Sequence, residues 1–267
     1  MHSNPKIKTA LITGASGGIG YELCKEFASG GYHLVLVARS EERLNALAEE
    51  MMEKYPVRVR VLISDLSRPS AAQEVYESLK KLGIAVHVLV NNAGFSLNGK
   101  FAENDLREEV DIIEVHISSL VKMTHLFLKD MVQRKSGKIL NVASTAGFQP
   151  GPFMANYYAA KSYVLHFSEG LSEELRKDGV TVSVLCPGVT KTNFWYHKKL
   201  RPTRLREGLF LPMMKPSDVA RIGYRGLHRG QTVIITGFFN RLLTQSLRIT
   251  PRYLMRKIMA FLNTSSA

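Results

Sequence analysis

The segment Thr13-Gly14-Ala15-Ser16-Gly17-Gly18-Ile19-Gly20 constrains the fold more than any other stretch of the chain. It comes after a short apolar run, Lys8 to Thr13, and leads into a helix-like stretch, so it reads as strand, tight turn and helix start. Glycines at 14, 18 and 20 permit backbone conformations and close approaches denied to other residues. A helix N-terminus directly behind such a turn attracts an anion such as a pyrophosphate. The spacing is G-x3-G-x-G rather than the common G-x-G-x-x-G, so the turn alone is also compatible with a plain strand-to-helix connection.

The rest of the chain repeats that local pattern. Six more short apolar runs, His33 to Ala38, Arg58 to Ile63, Val86 to Val90, Lys138 to Val142, Val180 to Cys186 and Thr232 to Thr236, bring the expected strands to seven. They alternate with amphipathic pieces at Glu41 to Lys54 and Ser70 to Leu82 and with long helical patterns at Asp105 to Arg134 and Tyr157 to Asp178. The last of these stops at Gly179, as a helix end should. Such alternation predicts an α/β fold, a Rossmann-like doubly wound parallel sheet with helices on both faces, whose ligand site lies at the carboxyl ends of the strands. With 267 residues and 45% hydrophobic content, one domain over 1–267 is expected. The stretch 189–216, with Pro202, Pro212, Pro216 and a Phe194-Trp195-Tyr196 cluster, breaks the rhythm and is expected to be a substrate loop or lid.

The net charge of +13 is unevenly spread. Residues 1–195 carry 22 Lys+Arg against 21 Asp+Glu, whereas 196–267 carry 14 against 2. A nucleic-acid role would rest on that charge alone, without a reading module or stacking platform, and is not expected. Neither a signal peptide nor an apolar run of about 18 residues is present, so a cytoplasmic protein is expected. Its two cysteines, Cys24 and Cys186, and its scattered histidines offer no metal-ligand spacing, and no metal is expected.

Three groups of residues suggest chemistry. The second strand ends in Ala38-Arg39-Ser40, where an acid would hold the ribose hydroxyls of NAD. Arginine and serine suit a 2′-phosphate instead and favour NADP(H), although a plain surface arginine would look the same. Tyr157 and Lys161, four apart, share one helix face. An ammonium beside a phenol stabilises the phenolate and lowers its pKa, making tyrosine an acid/base group near neutral pH. Ser144, thirteen residues before Tyr157 at a strand end, adds a hydroxyl able to polarise a carbonyl.

Together with Asp65-Leu66, Asn91-Asn92-Ala93-Gly94 and Pro187-Gly188 with Thr192 just beyond, these pieces resemble the short-chain dehydrogenase/reductase superfamily over nearly the whole chain. The run Ile139 to Pro152 is similar to bacterial reductases acting on apolar carbonyl compounds. The resemblance implies Tyr157 as proton donor in reduction, Lys161 on the nicotinamide ribose and Ser144 orienting the substrate oxygen. It implies Gly14, Ser16, Gly18, Ile19 and Gly20 along the phosphates, Asp65 and Leu66 at adenine, and Asn92, Ala93 and Gly94 as the cleft floor. Pro187, Gly188, Val189 and Thr192 would hold the carboxamide end. Tyr158 is the competing acid, disfavoured by the thirteen-residue interval from Ser144.

In one place the chain departs from that pattern. Where the superfamily places an asparagine that completes a water-borne proton relay beside the lysine, this chain has Val115-His116-Ile117. His116 can bond a water and, with an unperturbed pKa of about 6.5, could itself titrate. A working substitute, a weakened enzyme and a merely packed histidine all fit.

Phe95, Phe148, Phe153, Met154, Phe194 and Trp195 supply an apolar lining suited to an apolar ketone, aldehyde or secondary alcohol, although aromatics near a sheet edge also serve as plain core. The segment 238–267 is expected to be a basic amphipathic extension broken at Pro251, with an anionic membrane surface, a dimer partner, an acidic carrier or coenzyme tail, or plain solvent as its surroundings. The expected function is therefore NADP(H)-dependent hydride transfer, with reduction the cellular direction. A 3-oxoacyl reductase is the alternative, and a non-catalytic NADP(H) sensor the alternative of another class. A homodimer or homotetramer through the helices containing Asp105 and Tyr157 is implied by the resemblance.

Overall fold

The computed structural model describes residues 8–192, 194, 203–204 and 213–264. Seven strands, β1 (Thr9–Thr13), β2 (His33–Ala38), β3 (Val59–Ile63), β4 (Val88–Asn91), β5 (Gly137–Val142), β6 (Val180–Cys186) and β7 (Val233–Ile235), form one sheet. Their order is β3-β2-β1-β4-β5-β6-β7, and each neighbouring pair is parallel. All seven expected strands are present, with ends shifted by at most two residues.

A parallel sheet covered on both faces needs apolar residues at every position of its central strands, and β1 is buried throughout. Alternate residues feed different cores. Ala10, Ile12, Leu34, Leu36 and Leu185 pack with Leu23 and Phe27 of α1 (Gly18–Ser29), Leu44 and Met51 of α2 (Glu41–Lys54) and Val219 of α7 (Pro216–His228). Leu11, Val35, Leu89, Ile139 and Val182 pack on the other face with Val75 and Leu79 of α3 (Ala71–Lys81) and Met123 and Phe127 of α5 (Ser119–Gln133). The helix α7 begins at Pro216, a residue suited to the first helical turn because it has no N–H to leave unpaired.

The single helix expected over Asp105 to Arg134 is interrupted. It comprises α4 (Leu106–Ile113), a π-helical turn at Glu114–Ser118 and then α5. An apolar period of helical type persists through a π turn, so the pattern alone does not reveal it; the turn contains His116. Beyond it, α6 (Ala155–Glu174) presents Tyr157 and Lys161, and Gly179 comes after it with φ +70°. After β7 come α8 (Phe238–Ser246) and α9 (Arg252–Asn263), separated at Pro251.

The chain leaves β3 and crosses to β4 on the other side of β1, so the carboxyl ends of β1 and β4 diverge into a crevice. Most of 189–216, including Trp195, Tyr196, Pro202 and Pro212, lies outside the described residues. The near end of that stretch is tied to Met214, which accepts from the Lys191 N–H (2.9 Å) and donates to the Val189 carbonyl (2.9 Å).

Candidate active site

One cavity of about 1460 Å³ occupies the crevice and runs from Arg39 to the α9 helix. Pockets for a single small ligand span roughly 300–1,000 Å³, so this one has room for a dinucleotide and a substrate together. The glycine turn shapes one wall. Gly14 (φ +65°) and Gly18 (φ +57°) hold left-handed conformations. A Cβ on Gly18 would meet Thr192 at 3.1 Å, which sets the 187–192 segment close to the start of α1.

Gly20 serves differently from the expectation. It does not face the cavity; it lies buried behind the turn, where a Cβ would stand 2.2 Å from the Gly14 carbonyl oxygen and 2.5 Å from Asn92 Nδ2. The missing side chain lets α1 close upon the turn. Substituting Gly20 with alanine is therefore expected to push backbone against backbone and cost about 1–3 kcal/mol. A lowered urea midpoint with an unchanged slope would report it, and an unaltered midpoint would show that the turn yields freely.

Asn92 stitches the two strand ends together, donating from Nδ2 to the carbonyls of Thr13 (2.9 Å) and Gly14 (3.3 Å). The Thr13 hydroxyl accepts from the N–H groups of Asn92 (2.9 Å) and Ala93 (3.1 Å). Beneath them a buried polar chain runs from Asn91 to Thr124 and Asn141, and from Asn141 to Ser168. Of these, Asn141 and Ser168 carry no sequence signal, because the partners are 27 and 50 residues away along the chain.

At the far end of the cavity Arg39, Ser40 and Arg43 face it together, and Ser40 caps no helix N–H despite standing at the start of α2. Arg43, not singled out from the sequence, stands in the first turn of α2, and only the fold brings it to the same cavity as Arg39. Ser16, Ile19, Asp65, Leu66, Ala93 and Gly94 lie along the same wall. Pro187, Gly188, Val189 and Thr192 close the side next to α8, where a Cβ on Gly188 would strike Asn240 at 2.3 Å.

The hydroxyl, phenol and ammonium meet at the centre. Ser144 receives the Ala146 N–H (3.1 Å) and donates to the Pro187 carbonyl (3.4 Å). Lys161 is buried and donates from Nζ to the Val142 carbonyl (2.7 Å), with its ammonium 5.7 Å from the Tyr157 ring centre. Tyr158 points elsewhere, its hydroxyl donating to Asn263 Oδ1 (3.3 Å) at the end of α9.

The electrostatics differ from the simple expectation of a lowered tyrosine. Loss of water pushes Tyr157 up to about 12, a rise that the nearby Ser144 hydroxyl only moderates. The same burial brings Lys161 down to about 7. At this buried centre the phenol thus stays protonated, as a proton donor requires, and the lysine is the group that titrates near neutrality.

His116 also departs from the expectation of an imidazole near 6.5. It is buried flat against Gly94, where a Cβ would meet its Cε1 at 2.3 Å, and its Nε2 lies 3.1 Å from the Phe95 N–H and 2.8 Å from the Phe95 carbonyl. Burial, aided by Lys161, brings it down to about 3, so it is neutral throughout the working range. It cannot titrate in a relay near pH 6.5. A small cavity of about 10 Å³ beside it, lined by Thr13, Asn91, Ser119 and Lys161 among others, is close to the size of one water.

Of the six apolar residues singled out, Phe95, Met154 and Phe194 line the cavity. Phe148 packs instead against Leu120, Ala143 and Val164, Phe153 is not in the lining, and Trp195 lies outside the described residues. The remaining wall comes from α8 and α9, with Met255, Met259 and Leu262 packed on Met154 and Tyr158. Asn263 fixes that wall: it is fully buried, donates from Nδ2 to the Pro152 carbonyl (3.0 Å), and accepts the Asn98 Nδ2–H at its carbonyl (2.9 Å). Among the described residues no group of three or more His, Cys, Asp or Glu side chains is placed to hold a metal ion.

A parallel sheet in this order, with a glycine turn at its switch point and a hydroxyl, phenol and ammonium facing it, defines the class of dinucleotide-binding α/β proteins with an acid/base centre. The family is shown by residues 8–202, which match the model of the short chain dehydrogenases, and the chain belongs to that family of oxidoreductases acting on alcohol and carbonyl groups. A very-long-chain 3-oxoacyl-CoA reductase of Laccaria bicolor is 41% identical over 180 residues, covering 66% of this chain and 53% of that protein. The chain spans a little over half the length of this relative and of others of the same name. That fungal relative widens the expected likeness beyond bacterial reductases. A short-chain dehydrogenase from Sphingobium yanoikuyae in complex with NADPH superposes with a TM-score of 0.80 at 31% identity, over 93% of this chain and 95% of that one. One from Burkholderia phymatum in complex with NAD gives 0.81 at 26% identity, over 94% and 95%.

Proposed function

We propose that this protein is an NADPH-dependent reductase of apolar ketones or aldehydes. The observation that carries the substrate class is the α8–α9 wall: none of its cavity-facing side chains, from Phe239 to Leu262, is charged. The residues present fit a dinucleotide, because Gly17, at the N-terminus of α1, lines the cavity and a Cβ there would meet no atom within 4 Å, so the turn leaves open space beside the helix start. Arg39, Ser40 and Arg43 would hold the 2′-phosphate, and the glycine turn with Ser16 and Ile19 the pyrophosphate. Asp65 and Leu66 would hold adenine, Asn92, Ala93 and Gly94 the floor, and Pro187, Gly188, Val189 and Thr192 the carboxamide end. When bound, the nicotinamide supplies the hydride.

This chain's own residues do the rest. Ser144 orients the carbonyl oxygen, and Tyr157 gives its phenolic proton to that oxygen as negative charge develops there. Lys161, next to Tyr157, stabilises the phenolate that is left, and neutral His116 holds the backbone at Phe95 beside the one-water cavity from which a proton can return. Replacing His116 with asparagine is expected to preserve turnover within about an order of magnitude. A limb of kcat/KM with an apparent pKa near 7, from Lys161, should fall as pH rises and the ammonium is lost. It should stay in place in His116→Asn; a limb that moves would return the titration to histidine.

The substrate class is tested by NADPH absorbance with methyl ketones of increasing chain length. A cavity wall that buries alkyl carbon contributes about 0.8 kcal/mol per methylene, or roughly fourfold in kcat/KM. A flat series, or tight NADPH binding with no turnover on any member, would overturn the proposed reaction. A 3-oxoacyl thioester is the second reading, favoured by the name of the Laccaria bicolor relative, and would show as preference for a 3-oxoacyl chain over the matched ketone. Exposed Leu106, Val110 and Ile113 on α4 and Tyr163 on α6 support a homo-oligomer through those helices.

A further inference from the structure

The two C-terminal helices carry apolar residues on two sides. One side faces the protein through Met255, Met259 and Leu262. The other is open, with Phe238 75% exposed in α8, Ile249 86% exposed in the connection, and Tyr253 and Phe261 exposed in α9. Large apolar side chains clustered in this way are not the scattered exposure of an ordinary surface.

Around them stand Arg241, Arg248, Arg252, Arg256 and Lys257, all exposed. None forms an ion pair with a described carboxylate. No Asp or Glu occurs after Asp218. A second copy of this face would set cations against cations, which disfavours a symmetric pairing through it. Apolar residues ringed by unpaired cations instead match the headgroup and upper acyl region of an anionic bilayer. No helix among the described residues is long and apolar enough to cross a membrane, so such contact would lie along the surface.

The patch also continues into the cavity. Phe239, Leu242, Leu243, Leu254 and Ile258 are exposed and at the same time line it, so its substrate end opens on this face. We propose that the α8–α9 face docks on an anionic lipid bilayer and turns the mouth of the cavity toward it. An apolar substrate would then pass from lipid to Tyr157 without crossing water; this entry route rests on the reading of the function given above, whereas the docking does not.

The test uses the whole chain with vesicles of phosphatidylcholine alone or mixed at about 3:1 with phosphatidylglycerol. Sedimentation with the mixed vesicles and not the neutral ones is expected. Phe238→Ser with Ile249→Ser, neither in the cavity wall, should weaken that partition about tenfold or more and leave NADPH oxidation with a short soluble ketone unchanged. Ile249→Trp should add fluorescence that is quenched by lipids brominated in their acyl chains. Absence of sedimentation, an unquenched tryptophan, or serine variants that bind like the parent would overturn the proposal. So would a dimer, seen by ultracentrifugation, that Ile249→Ser dissociates, since the face would then belong to a second copy. Because vesicle binding is read without turnover, a chain that docks but reduces nothing leaves this proposal standing and removes only the reaction.

Discussion

Replacing Tyr157 with phenylalanine is expected to lower turnover by about 10³-fold, within the range that a positioned proton donor contributes. Only the hydroxyl is lost, and its neighbours remain satisfied: Ser144 keeps the Ala146 N–H and the Pro187 carbonyl, and Lys161 keeps the Val142 carbonyl. The variant should therefore fold and should hold NADPH with an affinity much less affected than turnover. Single-turnover absorbance with NADPH and a ketone, beside a fluorescence titration of the cofactor, separates the two effects. Retained turnover would transfer the proton to another group. Tyr158→Phe provides the contrast, because the Tyr158 hydroxyl is engaged by Asn263, so its loss should be read chiefly as reduced stability of the α9 wall.

The second large effect is expected at the cofactor's adenosine end. Removing both arginines, as Arg39→Ala with Arg43→Ala, should weaken NADPH about a hundredfold, since each charge-assisted bond to a phosphate is worth about 1.5–3 kcal/mol and both side chains are exposed to solvent. NADH, which has no 2′-phosphate to lose, should be far less affected, and the ratio of kcat/KM for the two cofactors reports the change. The loss should also be smaller at high salt, where the parent's advantage is itself screened. Equal weakening of NADPH and NADH would mean that the arginines support the wall and do not read the phosphate. The relatives do not decide this, as one similar structure holds NADPH and another NAD.

Much of the molecule was legible before folding was considered. The central apolar runs appear as strands because a parallel sheet buried on both faces demands continuous short stretches of aliphatic residues, whereas the edge strand β3 is only half-buried and includes Arg60. Glycines 14, 18 and 20 marked a close approach, although the partner of Gly20 is the turn's own backbone and not the cavity. Arg39 and Ser40 were visible from the absence of an acid at a strand end. Arg43 escaped because a lone arginine on an exposed helix face is unremarked until its neighbour is known to face the same cavity.

Residue type and spacing along the chain thus determined the strands, the glycine turn that leads into α1 and the four-residue step that sets Tyr157 and Lys161 on one helix face. The turn and the helix face are local consequences of backbone geometry, their residues within a few positions of one another, and each strand is itself a short apolar run. What only the tertiary structure decided depends on distant contacts and on burial. His116 was an open question as a letter in the sequence, and its neutrality results from burial first and the charge of Lys161 second, against the hydrogen bond with Phe95 that favours the charged form. Asn263 had no signal at all, because the groups it binds, on Asn98, Pro152 and Tyr158, stand 105 to 165 residues away. Whether a titratable group is charged, and which helix closes a cavity, are set by desolvation and long-range packing, and neither is written in the neighbouring residues.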